Sequence, residues 1–283
     1  MISLNRTRIE TAVNKKYRGV EKEGQDLILM TDQKSLLNGT ITKHDFKTAY
    51  WKTSKTQLKK ECANKCAYCE ANTSVVAHGD VEHFRPKSEY WWLAYTYDNY
   101  LFACQICNQT YKSDNFPIAG TRFPQPDIKS TTTTAKINSL VGKISPDPIA
   151  ITVGYTLAKF KTNHTNEKSL LLNPYFDNPL KHFAWEFDDN VKEVKLVPAN
   201  NTATTVQIVQ ACIDFYGLNR SELLGLRYKD FKIFRVVKKS LSQNLDAALR
   251  AETEDVLKDM LANEAQFAGM LGYFNSLPLA SLG

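Results

Sequence analysis

Cys66-Ala67-Tyr68-Cys69, Glu82-His83-Phe84-Arg85-Pro86, Asn99 and Cys104-Gln105-Ile106-Cys107-Asn108 follow one another within about 45 residues, and their nested order decides how this chain folds. Two Cys-x-x-C pairs enclose a Glu-His dipeptide and a later asparagine. Pairs at this spacing can close one tetrahedral thiolate site, and zinc is the ion such a site selects. Four thiolates leave no open coordination position, so a zinc ion at Cys66, Cys69, Cys104 and Cys107 is expected to be structural. Chemistry then falls to the enclosed histidine and to a second, harder cation held by oxygen ligands from Glu82 and an asparagine, a set that suits magnesium or manganese. The plain alternative is that the four cysteines are buried reduced thiols.

The bulk composition agrees with a folded protein. At 283 residues and 43% hydrophobic content the chain is long enough for one or two packed domains. It shows no signal peptide and no apolar run of about 18 residues, so a soluble, cytoplasmic protein with six reduced cysteines is expected. The net charge of +6 is weak evidence for an anionic partner. Its placement adds something: Lys52, Lys55, Lys59, Lys60, Lys65, Arg85, Lys87 and Lys112 are interleaved with Tyr90, Trp91, Trp92, Tyr95 and Tyr97. Cationic heads neutralise phosphates and aromatic faces stack on bases, which makes Arg85, Lys87 and Lys112 candidate substrate-binding residues. A solvated helix face beside ordinary aromatic core reads equally well.

Four regions are expected. Residues 1–60 read as helical, anchored by Leu27, Ile28, Leu29, Leu36 and Leu37; 61–120 form the metal module, with a hairpin at Asp80 to Phe84 and a helix beginning near Asn108. Residues 121–200 read as a connector and a small sheet: alternation over Ile149 to Phe160 predicts strands, and Phe183 to Phe187 with Val191 to Val197 predicts a hairpin around Asp188-Asp189-Asn190. Residues 201–283 are helical, with Thr204 to Tyr216 ending at Gly217, Asn219 or Ser221 capping a helix that runs to about Leu249, and a last helix from about Glu252 to Phe274.

The motif residues resemble the HNH endonuclease family, whose fold is a ββα-metal unit. The resemblance is carried by about 55 residues: Cys66 to Glu70, Val81 to Ser88, Tyr97 to Leu101, Cys104 to Asn108 and Lys112 to Pro117. It implies an α+β protein in which a zinc-stapled ββα-metal module is embedded in a mainly helical chain with small β-hairpins. It further implies that His83 is the general base, that Glu82, standing where aspartate is commoner, and Asn108 hold the catalytic magnesium or manganese, and that Asn99 braces the catalytic loop. Lys112, about one helical turn past Asn108, shares its face and is placed to meet the scissile phosphate or developing charge.

More narrowly, these blocks together with Leu171-Leu172-Asn173-Pro174, Asp177-Asn178-Pro179, His182 and Tyr216-Gly217-Leu218-Asn219-Arg220 are similar to the PtuB-type HNH proteins of Septu and some retron antiphage systems, over residues 58 to 235. That resemblance implies a defence nuclease, acting on DNA with RNA (including transfer RNA) left open, and a PtuA-like ABC or SMC-type ATPase partner. The sequence itself has no G-x-x-x-x-G-K-[ST] phosphate loop. Asp177 and His182 either add to the site or pin the helical part to the module. Cys62 and Cys212 read as ordinary thiols, His78 as a loop residue near the hairpin, and His44 and His164 carry no motif. Two other readings stay open: a zinc-stapled binding module with an inert loop, and an assembly subunit that works through its C-terminal helices.

Overall fold

A computed structural model describes residues 1–73 and 79–283; His78 lies outside them. The helices are α1 (Gly19–Leu37), α2 (Thr48–Trp51), α3 (Lys55–Glu61), α4 (Thr134–Leu140), α5 (Leu157–Glu167), α6 (Ala203–Tyr216), α7 (Ser221–Leu241), α8 (Ala247–Leu261) and α9 (Ala268–Ser276). Two antiparallel hairpins complete the α+β architecture, β1 (Asp80–His83) with β2 (Tyr100–Ala103), and β3 (Phe183–Asp188) with β4 (Glu193–Pro198). No described helix is long and apolar enough to cross a membrane.

One apolar cluster takes in Leu29, Tyr68, Trp92, Leu101, Phe160, Phe183, Phe231 and Leu282, so all four expected regions contribute to it. A smaller cluster of Val13, Tyr17, Leu58, Tyr97, Tyr100 and Phe102 seats the N-terminal segment on β2. The helices α6 and α7 pack on β4, α9 packs on β3, and α6 also meets the helical turn that follows β2. That last contact attaches the C-terminal region to the cysteine module.

Several local expectations are overturned. The alternating stretch from Ile149 to Phe160 is turn followed by helix: the Thr156 hydroxyl accepts from the Lys159 amide at 3.1 Å and caps α5, and local capping decides where alternation alone is ambiguous. Thr133 caps α4 in the same way. Arg220, not Asn219 or Ser221, precedes α7; Asn219 instead spans β4, donating to and accepting from the backbone of Leu196 at 2.9 Å each. The helix expected to reach Leu249 stops at Leu241, because Asp246 accepts from the amides of Ala248 and Leu249 and starts α8. The expected last helix is likewise two, α8 and α9.

In α1 only Leu29 of the five expected anchors is buried, and Leu27, Ile28 and Leu37 face solvent. The inward face carries Lys22, Gln25 and Asp26 as well as Leu29 and Met30. Lys22 pairs with Asp26 at 2.8 Å, and Asp26 also accepts from the Gly142 amide at 3.1 Å. A buried helical ion pair needs such extra hydrogen bonds to offset desolvation.

Candidate active site

The cysteine pairs sit on two backbone knuckles. In the first, the Glu70 amide donates to the Cys66 carbonyl at 3.0 Å with Glu70 at a left-handed φ of 61°, and the Ala67 amide ties the loop to Phe102 of β2 at 2.9 Å. In the second, the Cys107 amide donates to Cys104 Sγ at 3.4 Å. Together the knuckles bring all four sulfurs within 4.8 Å of one another, all buried. A tetrahedral zinc–thiolate centre has sulfurs roughly 3.8 Å apart, given metal–sulfur bonds of about 2.3 Å, so the donor set and spacing fit zinc.

The sequence reading missed a residue here. The Arg220 guanidinium donates to Cys107 Sγ at 3.4 Å and to Cys69 Sγ at 3.7 Å. A zinc tetrathiolate carries net negative charge, and a cation hydrogen-bonded to two of its sulfurs offsets part of it. Arg220 is delivered by the turn after α6, whose Gly217 has φ of 63° and lies so close to the Tyr111 ring that an added Cβ would fall 2.6 Å from it. Tyr68, inside the first knuckle, stacks on Tyr216 with ring centroids 3.8 Å apart. Only the similarity of the Tyr216–Arg220 segment to PtuB-type proteins hinted at this docking.

Between the knuckles, β1 and β2 pair in register, with His83 opposite Tyr100, and a π-helical turn, Ile106–Lys112, follows. The helix thus begins two residues earlier than expected, and its wider winding is a geometry found often at functional sites. A cleft of about 270 Å³ opens there, lined by Glu82, His83, Lys87, Asn108 and Trp51 among others.

His83 is buried, and its Nε2 lies 2.9 Å from the Ala94 carbonyl. A carbonyl only accepts, so Nε2 carries the proton and the neutral ring keeps its lone pair on Nδ1. Burial pushes the imidazolium down to about 3, so the ring is neutral at physiological pH. Trp51 and Tyr100 meet it edge to face, each at 5.0 Å.

Asn99 closes the loop that begins at His83. Its Oδ1 accepts from the Arg85 amide at 2.9 Å, and its Nδ2 donates to the carbonyls of Arg85 and Leu93 at 3.0 and 3.3 Å. The residue is fully buried, so nothing in solvent competes for those bonds.

Glu82 and Lys112 form an ion pair of 2.8 Å, and the Lys112 ammonium also donates to the His83 carbonyl at 3.1 Å. Burial raises the Glu82 carboxyl above its ordinary value, against the pull of Lys112. Glu82 and the Asn108 side chain, which has no hydrogen-bond partner among the described residues, line one cleft and offer oxygen donors suited to a hard divalent cation.

The expected substrate contacts divide. Lys87 lines the cleft. Lys112 is enclosed, with its ammonium on protein oxygens instead of in solvent. Arg85 is wholly buried: it donates to Glu167 at 2.7 Å and to His164 Nδ1 at 3.0 Å, and it lies against the rings of Phe123, Phe84, Phe160 and Phe116 at 4.6 to 5.7 Å. The burial of Arg85 has a simple cause. A guanidinium can enter a core when a carboxylate and aromatic faces replace its water, and neither Glu167 nor His164 is near Arg85 in sequence.

His164 in turn donates from Nε2 to Asp177 at 3.0 Å, and Asp177 accepts from the Asn173 amide at 2.7 Å. Asp177 and His182 line a separate cleft. Of the two readings open for Tyr90, Trp91, Trp92, Tyr95 and Tyr97, base stacking or aromatic core, the structure takes the second: all five are buried.

No family model and no solved structure matches the chain. Among characterised proteins it is similar to the Septu protein PtuB of Bacillus mycoides strain KBAB4, 25% identical over 245 residues that cover 78% of this chain and 69% of that protein. The resemblance to PtuB-type proteins drawn from the motif is borne out by this similarity.

Proposed function

We propose that this protein is the nuclease component of a Septu-type antiphage system, a metal-dependent endonuclease of HNH type that hydrolyses phosphodiester bonds in DNA and works with a PtuA-like ATPase. The similarity to PtuB supports the defence role. The observation that carries the chemistry is the geometry of His83: its Nε2 is bonded to Ala94, which leaves the lone pair on Nδ1, and the ring lies on the same cleft as Glu82 and Asn108.

A neutral imidazole with a free Nδ1 takes a proton from an attacking water, and the Ala94 contact fixes which nitrogen is available. Asn99 keeps the loop from relaxing away from that geometry. Lys87 at the cleft rim supplies positive charge for the phosphate backbone. Magnesium or manganese would be held by Glu82 and the Asn108 amide oxygen and supplies charge stabilisation at the phosphate. The zinc site holds the two knuckles and takes no part in the chemistry.

The test is cleavage of plasmid DNA and of total RNA with magnesium, by wild type and His83→Ala, each with and without the partner ATPase. Cleavage of DNA by wild type and not by the variant is the expected result. Cleavage of RNA alone would reassign the substrate to transfer or other RNA, and equal activity or uniform inactivity would favour a zinc-stapled binding module.

A further inference from the structure

Among the described residues that line the cleft, the one indole comes from outside the motif. Trp51 ends α2 in the N-terminal region, half-buried, and lines the cleft beside His83 and Lys87. Its ring meets that of His83 at 5.0 Å and 82°, and leans on Tyr95 at 6.3 Å and 25°. The Lys87 ammonium lies 5.8 Å from its centroid. The chain's other tryptophans, Trp91, Trp92 and Trp185, are at most 6% exposed. An indole left partly exposed next to a candidate general base, with a lysine ammonium near its ring, is unlike the closed aromatic core elsewhere in the chain.

We infer that Trp51 is a nucleobase-stacking platform: it receives an unpaired base next to the scissile phosphate while Lys87 meets the neighbouring phosphate. This rests on the nuclease reading above. A base inside a duplex has both faces covered by its neighbours, so a platform here selects single-stranded or locally unpaired nucleic acid. The contact reads a π-face and is therefore tolerant of sequence. Trp51 touches no reacting atom; it is a positioning residue that sets which phosphate stands in front of His83.

Binding is measured on the full chain carrying His83→Ala, so that nothing is cut, by fluorescence anisotropy with labelled single-stranded DNA and RNA 12-mers, the matched duplex, and a fully abasic 12-mer of equal charge. The expected result is preference for single strands over duplex, quenching of tryptophan emission on binding, and about a five- to hundredfold loss of affinity on adding Trp51→Ala, the range of one lost base stack. Trp51→Phe, which keeps an aromatic face, should stay within a few-fold. The abasic strand tests the same contact with the protein unaltered, and it should bind wild-type Trp51 and Trp51→Ala alike.

Single-strand affinity unchanged by Trp51→Ala, or an abasic strand binding as tightly as the normal one, overturns the platform and leaves the nuclease reading standing. Absence of binding to every nucleic acid overturns both.

Discussion

Lys112 Nζ stands 2.8 Å from Glu82 Oε1 with both side chains buried, joining the end of the π-helical turn to β1. One charge cancels the other inside a low-dielectric site. Removing the lysine alone strands a carboxylate, which costs about 3–5 kcal/mol for a buried pair. Lys112→Met should therefore lower the urea midpoint strongly, and Glu82→Gln added to it should restore most of the loss. Midpoints for the two single variants and the double variant give the coupling directly; additive losses would mean that the two side chains act independently.

Arg220 makes a second prediction, at the cysteine site. Its hydrogen bonds to Cys69 and Cys107 stabilise thiolates, so Arg220→Ala should weaken zinc retention by about 10–100-fold, the usual effect of losing such a supporting contact. Arg220→Lys, able to keep the charge without the forked donors, should fall between. Competition with a chromogenic chelator reads this, and equal zinc transfer from all three proteins would remove Arg220 from the site.

The clustering of the cysteine pairs and the placement of His83 and Asn99 between them were legible because the pattern is local: two residues of spacing define a knuckle, and paired strands bring the pieces together. The helical C-terminal half was legible in class and not in its breaks, since Asp246 ends one helix and starts another through side-chain bonds that apolar periodicity does not encode. Arg85 was misread for a different reason. Its positive charge looks like a phosphate contact until Glu167, Tyr90 and His164 are folded around it, and those pairings span 77 to 82 residues of sequence where they leave the motif. Trp51 lay in a segment with no motif, and Arg220 in a block that resembled PtuB-type proteins without showing what its side chain meets, so their positions at the two sites came from the tertiary structure.

Burial of His83 ties stability to pH. Its folded value is pushed down to about 3 from an unfolded value near 6.5, so between those limits the unfolded chain binds a proton that the folded chain does not. Stability from this group is then complete above about pH 6.5 and declines as the pH falls towards 3, by up to about 1.4 kcal/mol per unit. Urea midpoints taken from pH 7 to pH 4 should fall more steeply for wild type than for His83→Gln. Parallel slopes would show that the ring is charged, or hydrated, in the folded protein.

On the nuclease function proposed above, Asn99 offers a sharper separation of brace from base. An aspartate has nearly the same shape and keeps an acceptor for the Arg85 amide, but it has no N–H groups for the carbonyls of Arg85 and Leu93. It also places a carboxylate where no solvent reaches, and burial raises the pKa of such a group. A carboxyl whose folded pKa exceeds its unfolded one loses stability as pH rises between the two. Asn99→Asp should thus be destabilised more at pH 8 than at pH 5, whereas Asn99→Ala, which loses all three bonds without adding charge, should show an offset from wild type that changes little with pH. Zinc content should be unchanged in both, because neither knuckle involves Asn99, and nuclease activity should fall in both as the loop bearing His83 loosens. Urea midpoints at the two pH values, read beside zinc analysis and the cleavage assay, decide the point: full activity in a stable Asn99→Ala protein would mean that the loop holds its shape without this side chain.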